Sequence, residues 1–318
     1  MSSSQSQSQS QSQSQSPTAE SALALLQSVP PPQQKPQRQP QPLSPQEFDE
    51  AKKQIASGWE QQTILSLLEN PATKGLKYEL WHGSTLFLIT PEPTKSQDIA
   101  RTTDAILKWL GAEPGFKIYL WYRDDPRELK ANQWPTKAQV NGGWTIVGTP
   151  NIVIYRSEEW ERVLIHEMIH GMKWDWKVGK TPAPCWKMNK TDKINPHLFE
   201  AWTELYAEWL ACEWYGRSWA KQRKWQDLQA TQILARATHK WEENTSVFAY
   251  YVLKAALAPH FEFLWVFGNG KTPEEKQYVM CGLVTPELNR LRTLAKSTVP
   301  QDMRLRMSVP DVLDGLEK

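Results

Sequence analysis

Residues Val163-Leu164-Ile165-His166-Glu167-Met168-Ile169-His170 carry the spacing H-E-x-x-H. On a helix, His166 and His170 lie one turn apart, so both imidazoles project from one face and can bind a single Zn2+. Glu167, next to His166, can reach a water on that metal. Zinc brings the pKa of such a water toward neutrality, and the carboxylate takes its proton as the water attacks a carbonyl. The bland alternative is a helix on which two histidines and a glutamate fall by chance. The apolar Val163, Leu164, Ile165, Met168 and Ile169 argue against it. Burying the three polar side chains in such a face is costly unless something satisfies them, and a metal ion does.

A catalytic zinc takes three protein ligands and leaves a position open. The extended motif with Gly three residues and His six residues after the second His is absent: Lys173 and Trp176 stand there. Asp175 is a close candidate, but it lies just past the helix end expected at Gly171. The better source is the next helix, in which Glu200, Glu204 and Glu208 recur one turn apart. A start at Asn195-Pro196 puts Glu200 in the second turn, and small Ala201 beside it lets the two helices approach. This favours Glu200 as the third ligand. Glu204 then accepts the spare N–H of a zinc-bound histidine, and Glu208 is left on a solvated face.

The elements that must position these residues follow from turn and cap chemistry. Ser44 caps a helix with Pro45 at its first position, and helical spacing runs to Asn70. Tyr78 to Ile89 reads as strand, turning at Gly83-Ser84. Thr94 to Leu110 reads as a helix ended by Gly111, and Lys117 to Tyr122 as a strand. Asp124 to Gln139 is polar and contains proline, as a long loop would. Trp144 to Val147 and Asn151 to Tyr155 are short β-branched runs. Ser157 is the expected cap of the motif helix, with Glu158 and Glu159 in its first turn. A second helix opens at Asn195-Pro196 and closes at Gly216, and helical periodicity dominates from about residue 217 to 310. Strands come first and helices follow, which gives an α+β class. Its strand-containing part is about 46–173 and its helical part about 174–318. Residues 1–45, with alternating Ser and Gln and then Pro, Gln and Ser, cannot bury enough apolar surface to order and read as a disordered arm.

His166-Glu167-x-x-His170 followed by helical Glu200-x-x-x-Glu204 resembles the gluzincin group of zinc metallopeptidases, over about residues 140–210. A weaker resemblance rests on Asn141-Gly142-Gly143, on Ile154-Tyr155-Arg156-Ser157-Glu158-Glu159 and on Thr245-Ser246-Val247-Phe248-Ala249-Tyr250-Tyr251. These strings are similar to metallopeptidases encoded by large DNA viruses of algae and amoebae. Two features depart from the thermolysin pattern: no Asn precedes Glu200, and no second His-based motif is evident. The resemblance implies a zincin-like fold, a zinc cofactor and hydrolysis of peptide or protein substrates with Glu167 as general base. It also implies a cleft edged by Trp144–Val147 or Ile152–Tyr155, to which an extended peptide would add as a strand. An oxyanion donor would come from Tyr250 or Tyr251, or from His239 or His260, although apolar neighbours make core packing the default for the tyrosines.

Composition limits the alternatives. The 318 residues carry 37 Lys+Arg against 35 Asp+Glu, a balance that disfavours nucleic acid as partner. The Lys221–Lys224 stretch therefore reads as a solvated helix face. The 17 tryptophans are far above ordinary usage, and Trp202, Tyr206 and Trp209 follow helical spacing as core residues do. No apolar run is long enough to cross a membrane. Ala22–Leu26 is too short for a signal peptide. Cys185, Cys212 and Cys281 form no disulfide framework, which fits a reducing, cytoplasmic location. The rival to the enzyme is a structural or interaction protein, such as a virion component, that keeps a zinc site without turnover. The intact Glu167 favours the enzyme, because a structural zinc would close its fourth position with Cys or His.

Overall fold

A computed structural model describes residues 39–56, 73–175, 197–237, 241, 243–268 and 270–310. Strands β1 (Gln41–Pro42), β2 (Lys74–Glu79), β3 (Thr85–Thr90), β4 (Lys117–Trp121), β6 (Gly143–Thr145) and β7 (Asn151–Ile154) form one sheet. Its order is β1-β2-β3-β4-β7-β6. β3, β4 and β7 run parallel, while β2 pairs antiparallel with β3 and β6 antiparallel with β7. The short β6 is thus an edge strand. β5 (Glu128–Leu129) pairs separately with β8 (Met303–Arg304).

The period-2 pattern of the central strands explains the layering. Leu86, Leu88, Ile118, Leu120, Ile152 and Ile154 face the main core, which α2 (Ser96–Trp109) and, after the short α3 (Lys137–Val140), α4 (Trp160–Gly171) cover. The alternate residues Ile89, Tyr119, Trp121 and Val153 face the other side, against Ile55 and Ala51 of α1 (Pro45–Ala56). The helical half follows: α5 (Leu198–Tyr215), α6 (Trp219–Arg236), a π-helical turn at Phe248–Leu253, α7 (Lys254–Leu257), α8 (Phe261–Gly268) and α9 (Pro273–Lys296). α5 packs along α4, so the H-E-x-x-H helix is sandwiched between the sheet and the helical half. Trp202 is fully buried and stacks on Phe261 at 5.5 Å, in keeping with core packing of the tryptophans. The chain is a mixed α/β structure with a small N-terminal sheet and a helical second half.

Several expectations are corrected. Residues 41–43, counted with the arm by composition, are ordered: Gln41 and Pro42 pair with Lys77 and Leu76, and the Leu43 N–H donates to Gly75. The expected end of the first helix at Asn70 lies outside the described residues. So does the helix start at Asn195-Pro196; α5 opens at Leu198. Ser44 does cap α1, its hydroxyl accepting from the Glu47 N–H. Ser157 does not cap α4; Glu159 occupies that position in the left-handed region (φ 58°, ψ 27°). The reason is the buried task of its carboxylate. It accepts from the Met307 and Ser308 N–H groups at 2.9 and 2.7 Å and pairs with Arg127 at 2.8 Å. Finally, Cys212 is a free, buried thiol, but Cys281 is disulfide-bonded. The cysteines therefore give no support to a reducing compartment.

The C-terminal stretch after β8 passes under α4 as a strap. The Leu305 N–H donates to Arg127, Tyr251 Oη to the Leu305 carbonyl, Trp225 Nε1 to Arg306 and Gln222 Nε2 to Met307. Glu208 lies in the same layer, 1 % exposed rather than solvated. It binds Lys254 Nζ, which is itself fully buried, and accepts from Gln222 and Gln226. A buried pair loses most when one partner is removed, because the other charge is stranded. Lys254→Met should lower the unfolding free energy by about 3–5 kcal/mol. Lys254→Met combined with Glu208→Gln should recover part of that loss, and chemical denaturation of the three proteins checks both outcomes.

Candidate metal centre

Apolar residues fix α4 in place and leave one polar stripe. Val163, Leu164, Ile165, Met168 and Ile169 belong to the core, while His166, Glu167 and His170 share the remaining surface, each about 5 % exposed. Two glycines let the edge strand lie directly on that stripe. A Cβ at Gly143 would sit 2.6 Å from the Val153 carbonyl, 2.8 Å from Val163 and 3.3 Å from Glu167 Oε1. The backbone of β6 therefore borders the Glu167 carboxylate.

The two histidines point their Nε2 atoms at one another, 3.0 Å apart. Glu200, from α5, brings Oε2 to 3.9 Å from His166 Nε2 and 3.7 Å from His170 Nε2. These three atoms converge as ligand atoms around a metal ion would. Each imidazole turns its other nitrogen to a carboxylate. His166 Nδ1 is 2.7 Å from Glu204 Oε2, and His170 Nδ1 is 2.9 Å from Asp175 Oδ1. Both carboxylates are held in turn. Arg162 Nη1 donates to Glu204, and Thr203 Oγ1 donates to Asp175 at 2.9 Å.

The electrostatics follow from this crowding. Burial acts against the charge on His170, but Asp175 and Glu200 outweigh it and push its pKa up to about 11 in the metal-free protein. Burial raises the Glu167 carboxyl, and the two histidines draw it only partly back down. Burial also opposes the charge on Glu204, yet Arg162 and His166 hold it well below the usual carboxylate range. A cation at the convergence point would replace the proton on His170.

The site opens into a cavity of about 320 Å3. One wall is Asn141–Thr145. The opposite wall holds Asn244, Thr245, Ser246 and Tyr250, and Met307 of the strap lines it as well. Tyr250 Oη donates to Glu200 Oε2 at 3.2 Å. Tyr251, the alternative donor, is turned away: its hydroxyl bonds the Leu305 carbonyl and it does not line the cavity. Adjacent residues on a helical turn cannot both face one site, and the π-helical turn selects Tyr250. His260 does not line the cavity, and His239 lies outside the described residues.

The structure thus brings together His166, Glu167, His170, Glu200, Glu204 and Tyr250, and leaves out Tyr251 and Glu208. Asp175, the rival third ligand by sequence, sits instead at the Nδ1 side of His170, away from the converging Nε2 atoms. Arg162, one turn before His166, was not singled out from the sequence. A charged residue leading into an apolar helical run is the signal that could have found it.

Carboxylates that orient ligand histidines and a carboxylate that itself ligates should differ when removed. Glu204→Ala and Asp175→Ala should each weaken Zn2+ binding by roughly 10–100-fold, and Glu200→Ala by much more. Competition titration of the metal-free proteins with Zn2+ checks the order. Comparison of the chain with protein-family models, with curated proteins and with solved structures found no match. What the site can do is therefore read from the arrangement of its own side chains.

Proposed function

We propose that the chain is a zinc-dependent peptidase with a zincin-like arrangement of sheet edge and metal helix. The observation that carries this reading is the meeting of His166, His170 and Glu200 in the cavity that Glu167 also lines. The donor set suits zinc. Two ligand atoms at 2.0–2.1 Å from a tetrahedral ion lie about 3.3 Å apart, and the spacings of 3.0, 3.7 and 3.9 Å bracket that value. Two imidazoles and a carboxylate would supply three of the four ligands zinc takes, the number that catalytic rather than structural sites provide. When bound, zinc would polarise a substrate carbonyl and acidify a water.

The chain's own residues supply the rest. Glu167, its carboxyl raised by burial, accepts a proton from the attacking water and passes it to the leaving nitrogen. The water oxygen bonds to the carbonyl carbon, the C–N bond breaks, and a carboxylic acid and an amine result. Tyr250 Oη, whose pKa burial and the neighbouring Glu200 carboxylate keep well above its ordinary value, stays protonated, and by turning its one O–H from Glu200 Oε2 it would donate to the developing oxyanion. The β6 edge offers main-chain groups to an extended peptide. Among the described residues no helix is long and apolar enough to cross a membrane.

A Glu167→Gln variant should keep its zinc and its fold, while hydrolysis of a broad peptide library falls by about 10^2–10^4-fold. Elemental analysis and cleavage of the library by wild type and variant test this. Near-wild-type activity in the variant would remove Glu167 from the reaction, and a wild type that cleaves nothing would favour a zinc site without turnover.

A further inference from the structure

We infer, resting on the peptidase reading, that the cleft holds the free C-terminal carboxylate of its substrate, and that the chain releases short C-terminal fragments rather than cutting chains internally.

The argument starts from the direction of the cleft. β6 and α4 run side by side in the same sense. Gly142 and Gly143 pack against Val163, Gly143 also borders Glu167, and the Gly148 N–H donates to the His170 carbonyl at 2.9 Å. One end of the cleft therefore lies at Asn141 and Arg162, and the other at Thr145–Gly148 and His170.

The two ends differ. At the first, the walls touch. Thr245 Oγ1 donates to Asn141 Oδ1 at 2.8 Å, a bond between residues 104 positions apart that joins the sheet edge to the helical half. Val140 and Met307, both buried, back this bridge. At the second end, the hairpin after β6 presents Ile146 and Val147 to solvent, 64 % and 46 % exposed. A peptide laid along β6 enters over Ile146 and Val147, crosses the metal centre and stops at the Asn141–Thr245 bridge. Only a few residues fit past the scissile bond, since a strand advances about 3.3 Å per residue.

The charge at the closed end decides which terminus stops there. Arg162 lines the cavity and is 4 % exposed. Its Nη1 binds Glu204, and its Nε has no hydrogen-bond partner. Behind Gly142, outside the cavity lining, lies Arg127, fully buried and paired with Glu159 at 2.8 Å. Of the carboxylates lining the cavity, Glu204 is held at Oε1 by Arg162, and its Oε2 lies 2.7 Å from His166 Nδ1. Arg162, the guanidinium that lines this end, has a donor to spare and so favours a carboxylate, which can accept from it, over an ammonium, which cannot. The substrate then runs antiparallel to β6, with its C-terminus at Asn141.

The test uses full-length protein loaded with zinc. A pool of random-sequence hexapeptides is prepared as free acids and as C-terminal amides, each with and without N-terminal acetylation. Retention on immobilised Glu167→Gln protein, read by mass spectrometry, should favour free acids at least about tenfold. Acetylation should leave retention unchanged. Wild type should trim the free acids from the C-terminal end. Arg162→Met should abolish the acid preference; because that variant also loses its bond to Glu204, the acid–amide comparison in the Arg162-containing protein stands without it. Equal retention of acids and amides, or internal cuts in amidated peptides, would overturn the inference and leave the peptidase reading intact. Selective retention of acids without hydrolysis would support the carboxylate site and count against the peptidase reading. No retention and no hydrolysis would overturn both.

Discussion

Two imidazole nitrogens that face each other across 3.0 Å constrain the rest of the site. Each ring has its second nitrogen beside a carboxylate, so each is drawn to keep its proton there and to aim a lone pair at the other. Two lone pairs at that distance repel unless a cation lies between them. A proton held on His170 answers this demand in the metal-free protein, and the third carboxylate, Glu200, marks where a larger cation belongs. Everything around the pair serves to hold the rings in this otherwise unfavourable pose.

The support is built in successive shells. Glu204 orients His166, Arg162 holds Glu204, and Glu159 and Arg127 form the next buried pair along the same layer. Glu208 and Lys254 continue it beneath α5. The three acids and three bases of this layer balance, which lets so many charges stay inside a core. The C-terminal strap supplies backbone donors to Glu159 and acceptors to Gln222, Trp225 and Tyr251, so residues 54 to 148 positions apart fix one another. The strained backbone at Glu159 belongs to this scheme. The carboxylate gains two N–H donors and an arginine, which offsets the cost of a left-handed conformation at the helix start.

How much of this was legible in the sequence depends on the range of the interaction. His166, Glu167 and His170 sit on one turn, and their spacing alone places them together. Glu200 and Glu204 could be chosen from helical period and the small Ala201 beside them, because one helix packs on another through such faces. The strands were readable from alternation, as Ile118, Tyr119, Leu120 and Trp121 divide strictly between the two faces of the sheet. The burial of Glu208 is not legible locally, because its partner, Lys254, is 46 positions away and nothing nearby announces it. The same holds for Asp175, which reads as a loop acid until the fold returns it to His170, and for Glu159, whose donors come from the far end of the chain. Tyr250 and Tyr251 were inseparable on paper, since only the helical phase of that turn tells which hydroxyl reaches Glu200.

The zinc reading is the claim on which the proposed chemistry stands. It is tested most directly by elemental analysis of freshly purified protein that has not met a chelator, with His166→Ala/His170→Ala as reference. The account predicts about one zinc per chain in the first and essentially none in the second. Wild-type protein free of zinc and unable to take it up would contradict it.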